Sequence, residues 1–126
     1  MSSFENYGQV KAVVDMYVEG IKNGDASLIE KAFHPRAYMM GHGEKLGFRG
    51  HFPIDKLVAV LKDNPTLAGP TYEASITSIQ ITKDVGVVVL EEHDFHGCNF
   101  INYLSVSKLE GRWCITNKTY TTTSLA

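Results

Sequence analysis

The chain has 126 residues, with 12 basic and 14 acidic side chains, and 44% of its residues are hydrophobic. This length predicts one domain, residues 1–126, that buries enough apolar surface to fold without disulfides. The near-neutral charge argues against a nucleic-acid partner, and no window is apolar for long enough to span a membrane. Cys98 and Cys114 are too few for a disulfide scaffold, and residues 1–5 show no signal-peptide pattern. We therefore expect a cytoplasmic protein with two reduced thiols.

Two helices are predicted at the start of the chain, from apolar residues at three- and four-residue spacing. The first helix ends at Asn23-Gly24, because glycine tolerates the left-handed conformation of a C-cap. The second helix is short, is capped by Asp25 and ends at His34-Pro35. The residues expected on their apolar faces are Phe4, Tyr7, Val14, Tyr17, Val18 and Ile21, then Leu28, Ile29, Ala32 and Phe33.

A third helix and two short strands are predicted next. Tyr38-Met39-Met40 and Leu46-Gly47-Phe48 are expected to be strands on either side of a glycine-rich turn. The helix begins at Pro53 and ends at Asn64-Pro65, because proline suits a first helical position and stops a last one. Its inward residues are Ile54, Leu57, Val58 and Leu61.

The second half of the chain alternates with a period of two and is rich in Thr, Ile, Val and Tyr, which favour strands. Short connections at Lys83-Asp84, His96-Gly97 and Glu110-Gly111 require neighbouring strands to be antiparallel. Helices followed by an antiparallel meander predict an α+β fold with the helices on one sheet face. The four strands are Thr71–Thr82, Val85–Phe95, Asn99–Leu109 and Arg112–Thr122.

Strand alternation predicts which side chains share a cavity. A two-residue turn at Glu110-Gly111 places Leu104, Val106, Ile115 and Asn117 on an apolar inner face, and Tyr103, Ser105, Cys114, Thr116, Lys118 and Tyr120 on the other. A two-residue turn at His96-Gly97 sets Asn102 opposite Glu91 and Phe100 opposite His93, with Val87 and Val89 on the same inner face. The inner wall is then apolar with a few polar groups, as small-molecule sites are.

Glu91 and His93 are the candidate proton-transfer pair, because a carboxylate and an imidazole both exchange protons near neutrality. The alternative is that both are solvated strand residues, since a one-residue change of register moves them to the other face. Two further candidates also have alternatives: His34 either enters the pocket or caps a turn, and Tyr17 is either a ligand contact or a core aromatic. No strong metal-ligand spacing is present, so we expect no metal.

Three sequence segments resemble the nuclear transport factor 2-like superfamily, and within it the lumazine-binding and SnoaL-like group. The segment from Val14 to Asp25 resembles the first helix of that superfamily and its Gly-Asp step. Ala32-Phe33-His34-Pro35-Arg36-Ala37 resembles its F-H-P-x-A link into the first strand. The third segment, Asn102 to Val106 followed by Gly111 to Lys118, resembles its D-Y-L-x-L and G-x-W-x-I-x-N-K ending.

The resemblance implies a cone-shaped α+β fold, in which three helices pack in a curved, mixed but mainly antiparallel sheet around a cavity. It also implies a homodimer formed through the outer sheet face, which Tyr103, Cys114, Thr116 and Tyr120 would decorate. The superfamily usually has Asp where this chain has Asn102, and an amide does not transfer protons at neutral pH. Glu91 is therefore the expected carboxylate of any enzyme.

Three functions stay open at this point. The first is a small-molecule-binding protein without a cofactor, whose cone holds an unidentified organic ligand between apolar walls of Phe33, Tyr38, Phe52, Val89 and Phe100. The second is an isomerase, dehydratase or cyclase that uses Glu91 or His93 as a general base. The third is an association module whose cavity is filled by residues such as Met39, Met40 and Trp113. The expected ligand-binding residues are Tyr17, His34, Tyr38, Phe52, Glu91, His93, Phe100, Asn102 and Asn117.

Overall fold

The computed structural model describes residues 3–126, and they form an α+β fold of three helices packed against a six-stranded sheet. Met1 and Ser2, on which the expectation of no signal peptide partly rests, lie outside the described residues. The elements are α1 (Ser3–Asn23), α2 (Ala26–Ala32), β1 (Phe33–His42), β2 (Arg49–Pro53), α3 (Asp55–Asp63), β3 (Ala68–Thr82), β4 (Val85–Phe95), β5 (Cys98–Leu109) and β6 (Arg112–Leu125).

The ends of α1 and α2 follow the predicted signals. Gly24 has a φ of 66° where α1 ends, and the Asp25 side chain caps α2 by accepting from the Ser27 amide at 3.0 Å. Phe33 belongs to β1 rather than to α2, although its side chain is buried as expected.

The predicted start of α3 at Pro53 is wrong, because Pro53 ends β2 and α3 begins at Asp55. The predicted inward face of α3 is buried. Phe4 and Tyr7, predicted on the apolar face of α1, are exposed. Among the described residues, no helix is both long enough and apolar enough to cross a membrane.

The strand order is β2-β1-β6-β5-β4-β3, with β1 parallel to β6 and every other pair antiparallel. All four long predicted strands are present, joined by the predicted turns, in which Lys83, His96 and Glu110 have positive φ. The predicted short strand at Leu46-Gly47-Phe48 is wrong, because Leu46 and Gly47 both have left-handed φ and interrupt extended backbone. The strand that pairs with β1 there is β2.

A bulge at Asp94 sets the register between β4 and β5. Phe95 pairs with Cys98 across the predicted turn, but Glu92 pairs with Phe100, so two residues of β4 oppose Asn99 alone. Asp94 has a φ of 59°. Its carboxylate accepts from the Thr71 amide at 3.1 Å, the Thr71 hydroxyl at 2.8 Å and the Gly97 amide at 3.2 Å. These hydrogen bonds hold the pKa of Asp94 below its usual range, the Thr71 hydroxyl contributing most.

The bulge reverses the predicted faces of β4. Asn102 pairs with Leu90 rather than with Glu91, so the buried side chains of β4 include Val88, Leu90 and Glu92. Glu91 and His93 are exposed on the opposite face. The expectation that they line the inner wall is therefore wrong, and so is the inner placement of Val87 and Val89.

A second bulge, at Thr116, has the same effect on β6. Val106 pairs with Ile115 as predicted, but Ser105 pairs with Asn117, which leaves Thr116 as the extra residue. Lys118 and Tyr120 consequently face inward and are buried. Asn117, predicted inside, lies half-buried on the outer face and accepts from the Thr119 hydroxyl at 2.9 Å.

Replacement of Asp94 by alanine should loosen the bulge, because the Thr71 and Gly97 amides lose their shared acceptor. We expect both amides to exchange with solvent several-fold faster, measured by hydrogen exchange with NMR detection. The matched control is Asp84→Ala, in the exposed β3–β4 turn. Unchanged exchange at Thr71 and Gly97 would contradict a role for Asp94 in holding this register.

Candidate functional site

A polar cluster inside the cone is centred on the buried carboxylate of Glu92. Tyr17 donates to both carboxylate oxygens at 3.1 and 3.2 Å, Tyr72 donates at 2.7 Å, and the Asn102 amide nitrogen donates at 2.9 Å. The four side chains come from α1, β3, β4 and β5, so the cluster ties the first helix to the sheet. Burial, then the nearby Glu92 charge, raises the pKa of both tyrosines above the usual range, which keeps their hydroxyls as donors.

Lys118 is the buried cation of the cone. The residue is only 5% exposed, and its Nζ lies 4.2 Å from the centre of the Tyr120 ring and 6.0 Å from the rings of Tyr17 and Phe100. Within residues 3–126, no carboxylate oxygen lies within ion-pair distance of Nζ. Burial lowers the pKa of Lys118 to about 8, against the opposing influence of the Glu92 charge. The amine is therefore readily converted to its neutral form near physiological pH.

Asn102 contributes a second unpartnered polar group. Its amide nitrogen is saturated by the Leu90 carbonyl at 3.2 Å and by Glu92. Its side-chain oxygen, Oδ1, is buried and has no hydrogen-bond partner in the described part of the chain. A buried acceptor without a donor is unusual in a folded protein and points to a donor supplied from outside the chain.

A void of about 10 Å³ lies beside Glu92 and Lys118, which is room for about one water molecule. Phe48, in the loop between β1 and β2, is buried and lines this void. Its carbonyl accepts from the Tyr120 hydroxyl at 2.6 Å, and the preceding Gly47 carbonyl accepts from Lys56 at 2.9 Å. In this conformation the void is too small for an organic ligand. The other lining residues are Met39, Leu57, Phe95, Phe100 and Tyr120.

The structure brings part of the predicted ligand-binding set together inside the cone. Tyr17, Phe100 and Asn102 are all buried there, with Phe33 packed against the Tyr17 ring at 5.7 Å between centroids. Phe52 is partly buried, with the Lys56 ammonium 3.9 Å from its ring centre.

Other predicted residues lie elsewhere. Tyr38 is 47% exposed on the outer face, 4.9 Å from the His51 ring. His34 accepts from the Arg36 amide at 3.0 Å and lines a separate groove of about 470 Å³ between α2 and α3. Glu91 and His93 border an open groove of about 610 Å³, which Tyr72, Glu92 and Phe100 also reach. In residues 3–126, no three His, Cys, Asp or Glu side chains are grouped so as to hold a metal ion.

Sequence reasoning missed Glu92, Lys118 and Tyr72. A two-residue turn at His96-Gly97 predicts Glu91 inward and Glu92 outward. The residues Val87 to Leu90 are apolar on both faces and do not correct this register. Regular alternation predicts Lys118 on the outer face, because no residue pattern in the sequence marks the bulge at Thr116. The one usable signal was the N-K dipeptide that closes the recognised sequence pattern, since it marks a lysine within a strand otherwise rich in Thr and Tyr.

The family model described as "Putative lumazine-binding" matches residues 5–121, which is nearly the whole chain. The chain belongs to this family. Among curated proteins, none matches this lumazine-binding family member.

Solved structures place the family member in the nuclear transport factor 2-like superfamily. An NTF2-like protein of unknown function from Shewanella baltica OS155 is 26% identical, with 97% of each chain covered and a TM-score of 0.84. Another from Silicibacter pomeroyi DSS-3 is 27% identical over 97% of this chain and 99% of that one, with a TM-score of 0.83. A ketosteroid isomerase-like protein from Erwinia carotovora atroseptica, 16% identical over 93% and 95% of the two chains, shares the fold at a TM-score of 0.70.

The buried lysine makes the stability of this lumazine-binding family member depend on pH. Its pKa is lower in the folded chain than in the unfolded one, so the unfolded chain binds more protons between the two values. Stability should therefore rise by about 2 kcal/mol between pH 7.5 and 9.5, as measured by urea unfolding. Lys118→Met should flatten this rise, whereas Lys62→Met, an exposed control on α3, should not. The raised pKa values of Cys114, Tyr17 and Tyr72 oppose this rise in both the wild type and Lys118→Met. A difference in stability between the wild type and Lys118→Met that stays constant over this range would therefore contradict the burial of an unpaired amine.

Proposed function

We propose that the cone binds a small organic molecule against Glu92, Lys118 and Asn102. The observation that carries this proposal is the buried, unpartnered Asn102 Oδ1, together with Lys118, a buried lysine that makes no ion pair within the described residues. Each such group costs free energy unless something outside the chain satisfies it. Membership of a family described as lumazine-binding supports the same reading.

The two groups define the chemistry of the ligand. Lys118 offers a donor and a positive charge, so it matches a carbonyl or anionic oxygen. Asn102 Oδ1 accepts, so it matches an N–H or O–H group. The aromatic walls, which include Phe95, Phe100 and Tyr120, favour a planar ring. Because ligand cavities are usually hundreds of Å³, Phe48 has to move before such a ring enters.

The association-module hypothesis finds some support in the filled cone. Met39 and Trp113 are buried as it predicts, whereas Met40 is 46% exposed on the outer sheet face. A purely structural core, however, gains nothing from an unpaired Lys118, because apolar side chains of similar volume are at least as stabilising. The ligand-binding hypothesis explains why a lysine is buried in the cone. The association-module hypothesis explains only why the cone is densely packed.

The hypothesis of an enzyme with Glu91 or His93 as general base is less well supported than ligand binding. Glu91 and His93 are exposed on the face of β4 opposite to Glu92. The inward carboxylate, Glu92, accepts from three side chains and is oriented by them rather than free to approach a substrate. A general base is best placed at hydrogen-bond distance from the proton it takes.

Binding is tested by titrating lumazine into the full chain and measuring heat by isothermal calorimetry. Asn102→Leu removes the unpartnered acceptor and should weaken binding about tenfold, the value of one lost hydrogen bond. The control Ser105→Ala lies on the exposed face of the same strand and should bind as the wild type does. Phe48→Ala should strengthen binding, because it removes a bulky side chain that lines the void and so enlarges it.

A ligand that binds the wild type and Asn102→Leu equally well would place the site outside the cone. Lumazine and uracil, a smaller ring of similar polarity, should be titrated in parallel. If neither binds the wild type or Phe48→Ala, the proposal fails. Thermal unfolding of each variant shows whether it is folded.

We propose further that the protein is a homodimer formed through the outer sheet face. The support is a row of exposed or half-buried apolar side chains on adjacent strands of this face. Tyr103 is 49% exposed at its centre, opposite Val89 on β4 and Thr119 on β6. The other apolar members of the row are Tyr38, Met40, Val87 and Ile101.

We also propose a cytoplasmic location, which the two free, buried cysteines support.

Val89→Glu should convert the dimer to a monomer, because it places a charge at the centre of the proposed interface. The measurement is mass in solution by light scattering coupled to size-exclusion chromatography. Phe4→Glu, at an exposed position on α1 away from this face, is the control and should leave the mass unchanged. A monomeric wild type at micromolar concentration would refute this interface.

A further inference from the structure

We propose that Lys118 is a nucleophilic amine that condenses with an aldehyde or ketone inside the cone to give a protonated imine. This inference rests on the proposed ligand site, and it assigns that site a carbonyl compound as its substrate class. Among residues 3–126, Lys118 is the one buried lysine, and the other lysines are exposed or half-buried. It comes from the inward face of β6, and its Nζ is surrounded by aromatic rings rather than by carboxylates.

An amine attacks a carbonyl only in its neutral form, so a nucleophilic lysine has to be removed from water and from contact ion pairs. Both conditions hold for Lys118: it is buried, and the aromatic ring nearest to its Nζ is that of Tyr120, at 4.2 Å from the ring centre. Glu92 lines the same void but makes no contact ion pair with it in the described residues. A pKa of about 8 agrees with this geometry.

The reaction balances without any further reagent. The Nζ lone pair forms a bond to the carbonyl carbon, and a proton moves from the nitrogen to the carbonyl oxygen to give a neutral carbinolamine. That hydroxyl then leaves as water with a second proton, while the nitrogen forms the C=N bond. The sum is amine plus carbonyl plus one proton, giving a protonated imine and water. The void beside Glu92 is about the size of that water molecule.

The cone also contains a carboxylate that stabilises the product of this reaction. Glu92 borders the void, and Tyr17 and Tyr72 donate to its carboxylate and hold it in place. The Tyr17 ring centre is 6.0 Å from Nζ. The negative Glu92 also favours the positive imine over a neutral adduct. The aromatic walls make a flat, apolar aldehyde the expected substrate type.

The experiment is reductive trapping of the full chain with benzaldehyde and sodium cyanoborohydride at pH 7.5, followed by intact mass and peptide mapping. We expect one benzyl group, located on Lys118. At this pH the neutral fraction of an amine with a pKa of about 8 is roughly a hundredfold larger than that of an exposed lysine. Labelling of Lys118 should level off above pH 8, while that of surface lysines keeps rising toward pH 10.

Three variants sharpen the test. Lys118→Arg keeps the charge and should lose the label, whereas Lys56→Arg, at the Phe48 loop, should keep it. Phe48→Ala should accelerate trapping by opening the cone. Formaldehyde, which is nearly as small as water, is a second probe that does not require Phe48 to move, so the wild type alone decides the outcome even if a variant does not fold.

Labels on surface lysines with none on Lys118, for both probes, would overturn the imine proposal. If lumazine binds while Lys118 stays unlabelled in the wild type and in Phe48→Ala, the binding site stands and the covalent step fails. If Lys118 is labelled but no planar ligand binds, the amine is reactive and the ligand preference is wrong. The two proposals therefore fail separately.

Discussion

The arrangement of the cone depends on the hydrogen bonds that Asp94 accepts from Thr71 and Gly97. These hydrogen bonds hold one extra residue in β4. Because side chains of a strand alternate between its two faces, this extra residue decides which side chains of β4 between Val85 and Glu92 point inward. With the bulge, Glu92 is inward and Glu91 is outward. Gly69 is part of the same constraint, because a Cβ at that position would overlap the Asp94 carboxylate.

Burial of Glu92 and Lys118 inside the cone costs free energy of folding, and the two charges are compensated to different extents. Glu92 is satisfied by hydroxyl and amide donors, so its burial is compensated within the chain. Lys118 is compensated only by aromatic faces and by the distant charge of Glu92. The Glu92 carboxylate thus joins α1 to the sheet, and the Lys118 amine is the group that still lacks an ion-pair partner within the described residues. Under the proposed function, Lys118 is the group that contacts the ligand.

The helices and strand limits could be predicted from sequence, and the inward faces of two strands could not. Leu57 and Leu61 repeat at helical spacing, and Glu110-Gly111 has the residue types that a tight turn requires, so local chemistry decides both. The bulges at Asp94 and Thr116 depend on partners distant in sequence, such as Thr71, which no local pattern reveals. Each bulge reverses the faces of its strand. An error of one residue in register therefore predicts Glu91 inward in place of Glu92, and Asn117 inward in place of Lys118.

Tyr120 joins two parts of the cone that would otherwise be independent. Its hydroxyl donates to the carbonyl of Phe48, and its ring is the nearest aromatic face to the Lys118 ammonium. Any molecule that reaches the amine has to disturb the residue that latches the loop. Association is then a two-step event whose rate saturates with ligand concentration, and the measured affinity includes the population of the open form. A closed resting state of this kind favours slow release over fast exchange.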